Sequence, residues 1–190
     1  MFTDWEHAAD ILRRKGAVVL LPTETVYGLT GRAADPECRE KIVTLKHRDP
    51  AKHIGWFVSS LRQLEERGYF LDRTAKLLAE RFMPGPLTLI VKHRDGGTVG
   101  FRIPDHPQLL ELLKELDEPL LQTSANRSGM PDALDCAAAL EMLDGEPDAA
   151  IDGGAIPPGA KGSTIVDCTG EKPVILRQGA LYTDDFLSSI

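Results

Sequence analysis

With 190 residues, 42% of them hydrophobic and 27% charged, the sequence has the composition of one globular domain, not of a disordered, collagen-like or disulfide-framed chain. A formal net charge of −7 excludes a protein that holds nucleic acid by bulk attraction. Cys38, Cys136 and Cys168 lie far apart without C-x-x-C spacing, no apolar run nears a membrane span, and residues 1–4 carry no export signal; reduced thiols, a cytoplasmic location and no membrane contact are the expectation.

Thr3-Asp4-Trp5-Glu6 has the form of a capping box, and Ala8, Ile11 and Leu12 recur at helical spacing, which predicts a helix over roughly residues 4–15 ended by Gly16. Ala17 to Leu21 is short, apolar and β-branched in the middle, so it reads as a buried strand. Pro22 ends it for want of an N–H. The block Leu21 to Gly31, L-P-T-E-T-V-Y-G-L-T-G, then crowds Thr23, Glu24, Thr25 and Tyr27 into a loop at the strand's carboxyl end, the edge where open α/β sheets bind small ligands. Asp35 and Pro36 cap and open a helix running to about Lys46. Ile54 to Val58 is strand-like; Leu61 to Arg67 and Asp72 to Phe82 are helical in pattern. After the break Pro84-Gly85-Pro86, strands Leu87 to Val91 and Val99 to Ile103 flank a Gly96-Gly97 hairpin turn and are expected to be antiparallel. A helix over Pro107 to Leu116, a strand over Pro119 to Thr123, a polar loop Ser124 to Gly129 and a helix from about Leu134 to Leu143 follow. Past the Gly/Pro-rich passage 153–162, two strands, Ser163 to Asp167 and Val174 to Leu176, end at Arg177-Gln178-Gly179. With no repeat or linker to divide it, residues 1–190 are expected to form a single α/β domain on a twisted mixed sheet flanked by helices, with an open ligand cleft.

Charge is unevenly placed. Pro104 to Asp152 holds 12 acidic against 2 basic residues, a local net of −10 that leaves +3 elsewhere. Lys46, His47, Arg48, Lys52 and His53 fall within eight residues, a local anion site on an acidic chain. Arg forks onto phosphate or carboxylate and Lys supplies a point charge; the plainer reading is a helix carboxyl end whose basic residues answer the dipole. Ser124-x-Asn126 offers neutral donors and acceptors past a buried strand, or else a cap-and-turn cluster. Thr98, Gly100 and Arg102 share one strand face, away from Val99, Phe101 and Ile103; that face is either solvated or turned into a cleft. Gly154 to Lys161 imitates a P-loop but has an extra Ala and no following helix; the five histidines lack metal-ligand spacing, and no G-x-S-x-G elbow is present.

P-T-E-T-V-Y-G-L at Pro22 to Leu29 resembles the signature of the YrdC-like family, the threonylcarbamoyl-AMP synthases of tRNA modification. Further motifs follow in the family's order: K-x-R at Lys46 to Arg48, P-G-P-L-T at Pro84 to Thr88, R-x-P with a nearby His at Arg102, Pro104 and His106, S-x-N at Ser124 to Asn126, S-T-x-V-D at Ser163 to Asp167, and I-L-R-x-G at Ile175 to Gly179. The chain departs from many relatives in placing Asp49 before Pro50 after the K-x-R, and in carrying Phe57 where some longer relatives place a threonine-contacting His.

The resemblance implies a single-domain YrdC-like fold that makes L-threonylcarbamoyladenylate and pyrophosphate from L-threonine, bicarbonate and ATP with Mg²⁺, for N6-threonylcarbamoyladenosine at tRNA position 37. It implies that Thr23, Arg102 and Ser163 hold threonine with Tyr27 lining the pocket. It also implies that Lys46, Arg48, Thr98, Ser124, Asn126 and Arg177 serve ATP. No covalent nucleophile and no metal-ligating side chain are expected; Lys46, Arg48 and Arg177 supply positive charge. Transient contact with the tRNA threonylcarbamoyl-transfer complex is implied, with weak or no nucleic-acid binding by the chain itself. The competing reading is a non-catalytic RNA-binding module using the same cleft, which an acidic chain without basic, aromatic-rich stripes serves poorly. A carbamoyl-transfer role like that of the similar domain in larger hydrogenase-maturation proteins calls for zinc-finger and acylphosphatase-like regions that 190 residues do not hold.

Overall fold

A computed structural model describes residues 2–182. Helix α1 (Trp5–Leu12) is capped by Asp4, whose carboxylate accepts the His7 N–H at 3.0 Å, so the cap falls one residue beyond the Thr3 of the expected capping box. It is followed by β1 (Val19–Leu21), β2 (Gly28–Thr30), α2 (Pro36–Leu45), β3 (Gly55–Phe57), α3 (Arg62–Glu65), β4 (Tyr69–Phe70) and α4 (Arg73–Phe82). Then come β5 (Leu87–His93), β6 (Thr98–Arg102), α5 (Pro107–Leu116), β7 (Leu120–Ser124), α6 (Cys136–Glu141), β8 (Ala149–Ala150), β9 (Thr164–Asp167) and β10 (Val174–Arg177).

The strands join one mixed sheet in the order β10-β9-β5-β6-β3-β7-β2-β1-β8, with β4 paired to β5 beyond this path. β5 and β6 form the expected antiparallel hairpin, in register Val91 to Val99; β3–β6, β5–β9 and β1–β8 run parallel. The block Leu21 to Gly31 is not wholly a loop. Gly28-Leu29-Thr30 pairs antiparallel with β1, Leu21 opposite Gly28, so residues 22–27 are the connection of a β-hairpin. The sequence does not predict β2, β4 and β8, because each is two or three residues long, too short to show an alternation.

Both faces of β1 are buried, which is why its sequence is apolar without alternation. Val19 and Leu21 pack beneath α1 and α5 with Leu12, Leu109 and Leu113. Val18 and Leu20 pack on the other face with Ile42 and Leu45 of α2 and Ala139 of α6. A third cluster covers one face of β5, β6 and β9, with Leu87, Leu89, Val91, Phe101 and Val166 under Ala75 and Leu78 of α4. The opposite face of those strands carries Thr88, Arg102 and Ile165, and these line a cavity.

Asp35 ties two elements together. Its carboxylate accepts the Glu37 N–H at 3.0 Å, capping α2, and the Gly16 N–H at 2.8 Å, anchoring the turn after α1. Asp35→Ala orphans both donors and should lower stability by roughly 1–2 kcal/mol, read as a reduced midpoint in urea with the slope unchanged; an unaltered midpoint would contradict this role.

Candidate functional site

The connection Pro22–Tyr27 is stiffened by its own hydroxyls. Thr23 Oγ1 donates to Val26 O at 2.7 Å and accepts from the backbone N–H groups of Thr25 and Val26 at 3.1 and 3.2 Å. It also lies 2.9 Å from Thr25 Oγ1. This is the turn chemistry expected of Thr, and it also projects Thr23 and Thr25 along one wall of the cavity. Tyr27 is buried; its hydroxyl donates to Gly154 O at 2.8 Å and accepts the Gly153 N–H at 2.8 Å. Burial pushes that phenol up to about 12, so it stays a neutral strut holding the 153–154 loop.

Arg102 settles which face of β6 is used. It is 1% exposed, and its guanidinium donates through Nη1 to Thr25 Oγ1 at 3.0 Å, lies 3.3 Å from Glu24 Oε1 and sits 4.9 Å over the Phe57 ring. Phe57, opposite Arg102 across β3–β6, thus offers it a π-face. Arg102 Nε has no partner. Burial lowers the guanidinium from its ordinary value, the Glu24 charge opposes that shift, and the group stays cationic at any working pH.

Across the trough, Arg177 at the end of β10 donates from Nε and Nη2 to Ser163 O at 3.1 and 2.9 Å, and from Nη2 to Ser163 Oγ at 3.3 Å. Ser163 Oγ lies 2.7 Å from Thr88 Oγ1, binding β5, β9 and β10 into one corner. The approach is tight: a Cβ on Gly179 would lie 2.3 Å from Gly162 O.

The K-x-R pair splits. Lys46 closes α2 and is 1% exposed, and its ammonium donates to Ser124 O, to Asn126 O at 2.6 Å and to Asn126 Oδ1 at 3.2 Å. Asn126 Oδ1 also accepts from Ser124 Oγ at 2.5 Å, while Asn126 Nδ2 donates to Met130 O. Lys46 therefore pins the Ser124–Met130 loop instead of answering its own helix's carbonyls. His47 takes a left-handed φ of +46°, the chain turns, and Arg48 reaches the cavity with Nη2 donating to His53 O at 2.7 Å.

These groups enclose a cavity of about 200 Å³ to which seven of the strands contribute side chains or backbone. Of the residues picked out from sequence, Thr23, Tyr27, Arg48, Arg102, Ser124, Ser163 and Arg177 border it. Lys46 and Asn126 stand behind the wall, bound to each other. Thr98 is exposed opposite Lys92, four residues or about 13 Å along β6 from Arg102, and lies outside the lining. Sequence reasoning did not assign Thr88, Gln122, Asp132 and Gly55, which also border the cavity; Thr88 lies within the P-G-P-L-T motif, whereas nothing in sequence flags the others. A Cβ on Gly55 would meet Gly100 O at 3.1 Å and Gln122 Oε1 at 3.2 Å, so glycine keeps the floor flat. Arg48, Arg102 and Arg177 face one carboxylate, Asp132, on this wall. A second cavity, about 460 Å³, lies across the hairpin and shares Thr23, Thr25 and Tyr27 with the first.

A family model described as Telomere recombination, for the Sua5, YciO and YrdC proteins, matches residues 11–179. The chain is 36% identical over 181 residues to a threonylcarbamoyl-AMP synthase of Pyrococcus abyssi, covering 90% of this chain and 53% of that protein. It is 35% identical over 183 residues to that of Bacillus subtilis, covering 91% and 53%. It thus spans about half the length of these curated relatives. Among solved structures, P. abyssi Sua5 complexed with L-threonine superposes with a TM-score of 0.89 at 33% identity, covering 98% of this chain and 57% of that one.

Burial, with a smaller push from Arg48, lowers Lys46 to about 8 from the 10.5 it has when unfolded. Between these values the unfolded chain binds the extra proton, so the stability Lys46 contributes is full above pH 10.5 and falls as pH drops through 8. Lys46→Met should cost roughly 3 kcal/mol by orphaning the loop oxygens, and its deficit against wild type should widen from pH 8 to 10 in urea unfolding. A deficit independent of pH would contradict the assignment.

Proposed function

The chain belongs to the Sua5/YciO/YrdC family, and on that premise we propose that it is a nucleotidyltransferase, a threonylcarbamoyl-AMP synthase. The observation that carries the reading is the convergence of three arginines, one of them fully buried, and seven hydroxyl side chains on one small cavity in a chain of net charge −7. Its likeness to a protein solved with L-threonine supports the amino-acid half; the arginines support the triphosphate half.

In this reading the threonine amine and bicarbonate give a carbamate and water, a carbamate oxygen attacks the α-phosphorus of ATP, and pyrophosphate leaves. The residues provide alignment and charge, not a covalent nucleophile. Arg102 and Ser163 take the threonine, with Thr23 and Tyr27 shaping its wall. Arg48, Ser124 and Arg177 face the phosphates, Lys46 and Asn126 hold the loop that presents Ser124, and Thr98 meets a nucleotide only at its outer end. Mg²⁺ would enter with ATP and offset the charge of the departing pyrophosphate. Among the described residues no cluster of three His, Cys, Asp or Glu side chains forms a metal cage, and Asp132 offers one oxygen ligand on the wall, which suits an ion held mainly by phosphates and water. The adenylate would feed N6-threonylcarbamoylation of adenosine at tRNA position 37. No helix among the described residues is long and apolar enough to cross a membrane, and the reading places the enzyme in the cytoplasm.

Pyrophosphate release with ATP and Mg²⁺ should require L-threonine and bicarbonate together. Arg177→Ala should lower it at least about 100-fold while costing no more than about 2 kcal/mol of stability. Release independent of threonine, or near-wild-type turnover in a folded Arg177→Ala protein, would contradict the proposal.

A further inference from the structure

In a synthase of this kind bicarbonate lies between the other two reactants, because its carbon joins the threonine nitrogen and one of its oxygens joins the α-phosphorus. The cavity has a strip of floor in that position. Arg102 of β6 stands on the threonine side and Ser124 of β7 on the phosphate side. Two residues inward from each, about 7 Å along its strand, are Gly100 and Gln122. β3 runs between these strands and sets Gly55 opposite Gln122. A Cβ on Gly55 would lie 3.1 Å from Gly100 O and 3.2 Å from Gln122 Oε1, so the carboxamide leans over bare backbone.

Gln122 is half-buried and borders the cavity, and its carboxamide makes no hydrogen bond to any described residue. Thr25, Arg102, Ser124, Ser163 and Arg177 around it each bond within the protein. A carboxamide holds an acceptor and a donor side by side in one plane. Bicarbonate carries the complement, an O–H beside a C=O. A carbamate keeps that edge, with an N–H in place of the O–H.

We propose that Gln122, over the glycine floor of Gly55 and Gly100, binds bicarbonate and then the carbamate made from it. The inference rests on the reading that the chain is a threonylcarbamoyl-AMP synthase. The neutral amine of threonine attacks the bicarbonate carbon; the C–N bond forms, the C–OH bond breaks, and hydroxide leaves as water with a proton from the nitrogen. Gln122 Oε1 accepts the carbamate N–H, and Gln122 Nε2 donates to the adjacent carbamate oxygen. The other oxygen is left free to attack the α-phosphorus. Arg48, Arg102 and Arg177 around the cavity balance the anionic charge.

Steady-state pyrophosphate release in CO₂-free buffer at fixed pH, with each substrate varied in turn, tests this. Gln122→Leu should raise KM for bicarbonate at least about tenfold, as loss of one or two hydrogen bonds does, and leave KM for L-threonine and ATP within about twofold. Gly55→Ala, whose added Cβ meets the carboxamide, should raise the same constant selectively. An unchanged bicarbonate KM in Gln122→Leu would overturn the proposal. So would a rise shared equally by all three substrates, which would mean that Gln122 only shapes the floor. If Gln122→Leu does not fold, Gly55→Ala decides by the same criteria. Release by wild type without bicarbonate would instead overturn the synthase reading itself, and the proposal with it.

Discussion

The architecture turns on one buried cation. Arg102 ends a strand whose alternate residues, Val99 and Phe101, are committed to the core, so its side chain must leave on the opposite face. That face is closed over by the Pro22–Tyr27 hairpin and by Phe57. A guanidinium taken out of water in this way is tolerable only if charge, hydrogen bond and π-face all meet it. Glu24, Thr25 and Phe57 supply one each. They come from two chain segments that are distant from β6 in sequence, so placing Arg102 also fixes the hairpin against β3.

The rest of the cavity is built by similar means, with side chains that tie strands together as well as line a wall. Arg177 and Thr88 both engage Ser163, so the corner where β5, β9 and β10 meet is held by groups that also face the cavity. The 124–130 loop is held from behind by Lys46, whose side chain is fully occupied by that loop. Such a site carries little freedom for its polar groups, and a reaction relying on alignment and charge neutralisation needs that preorganisation. An acidic chain with three arginines lining one cavity also concentrates anion affinity at the place where chemistry occurs.

Much of this was legible in sequence, for definite reasons. The double-sided burial of β1 shows as an unbroken apolar run, the start of α2 as Asp35-Pro36, and the β5–β6 hairpin as Gly96-Gly97 between apolar stretches. The mixed sheet flanked by helices follows from that alternation. The limits are equally physical. Thr98, Gly100 and Arg102 share a strand face that reads the same whether it meets solvent or a cleft; in the structure it does both, with Thr98 exposed and Arg102 buried. A basic residue at a helix end reads as dipole compensation, and only the fold shows that Lys46 turns onto the loop behind the wall while Arg48, past the left-handed His47, reaches the cavity. Glu24 sat in plain view within the signature, yet its unfilled oxygens depend on a partner 78 residues away in sequence.

The most direct test of the account is to identify the product. Incubation with ATP, Mg²⁺, L-threonine and ¹³C-bicarbonate, followed by mass spectrometry, should reveal an adenylate that carries threonine and a single ¹³C from bicarbonate and forms in step with pyrophosphate. An adenylate carrying threonine without the label, or none at all from a folded protein that binds both substrates, would contradict the claim that this cavity joins a threonine carbamate to AMP.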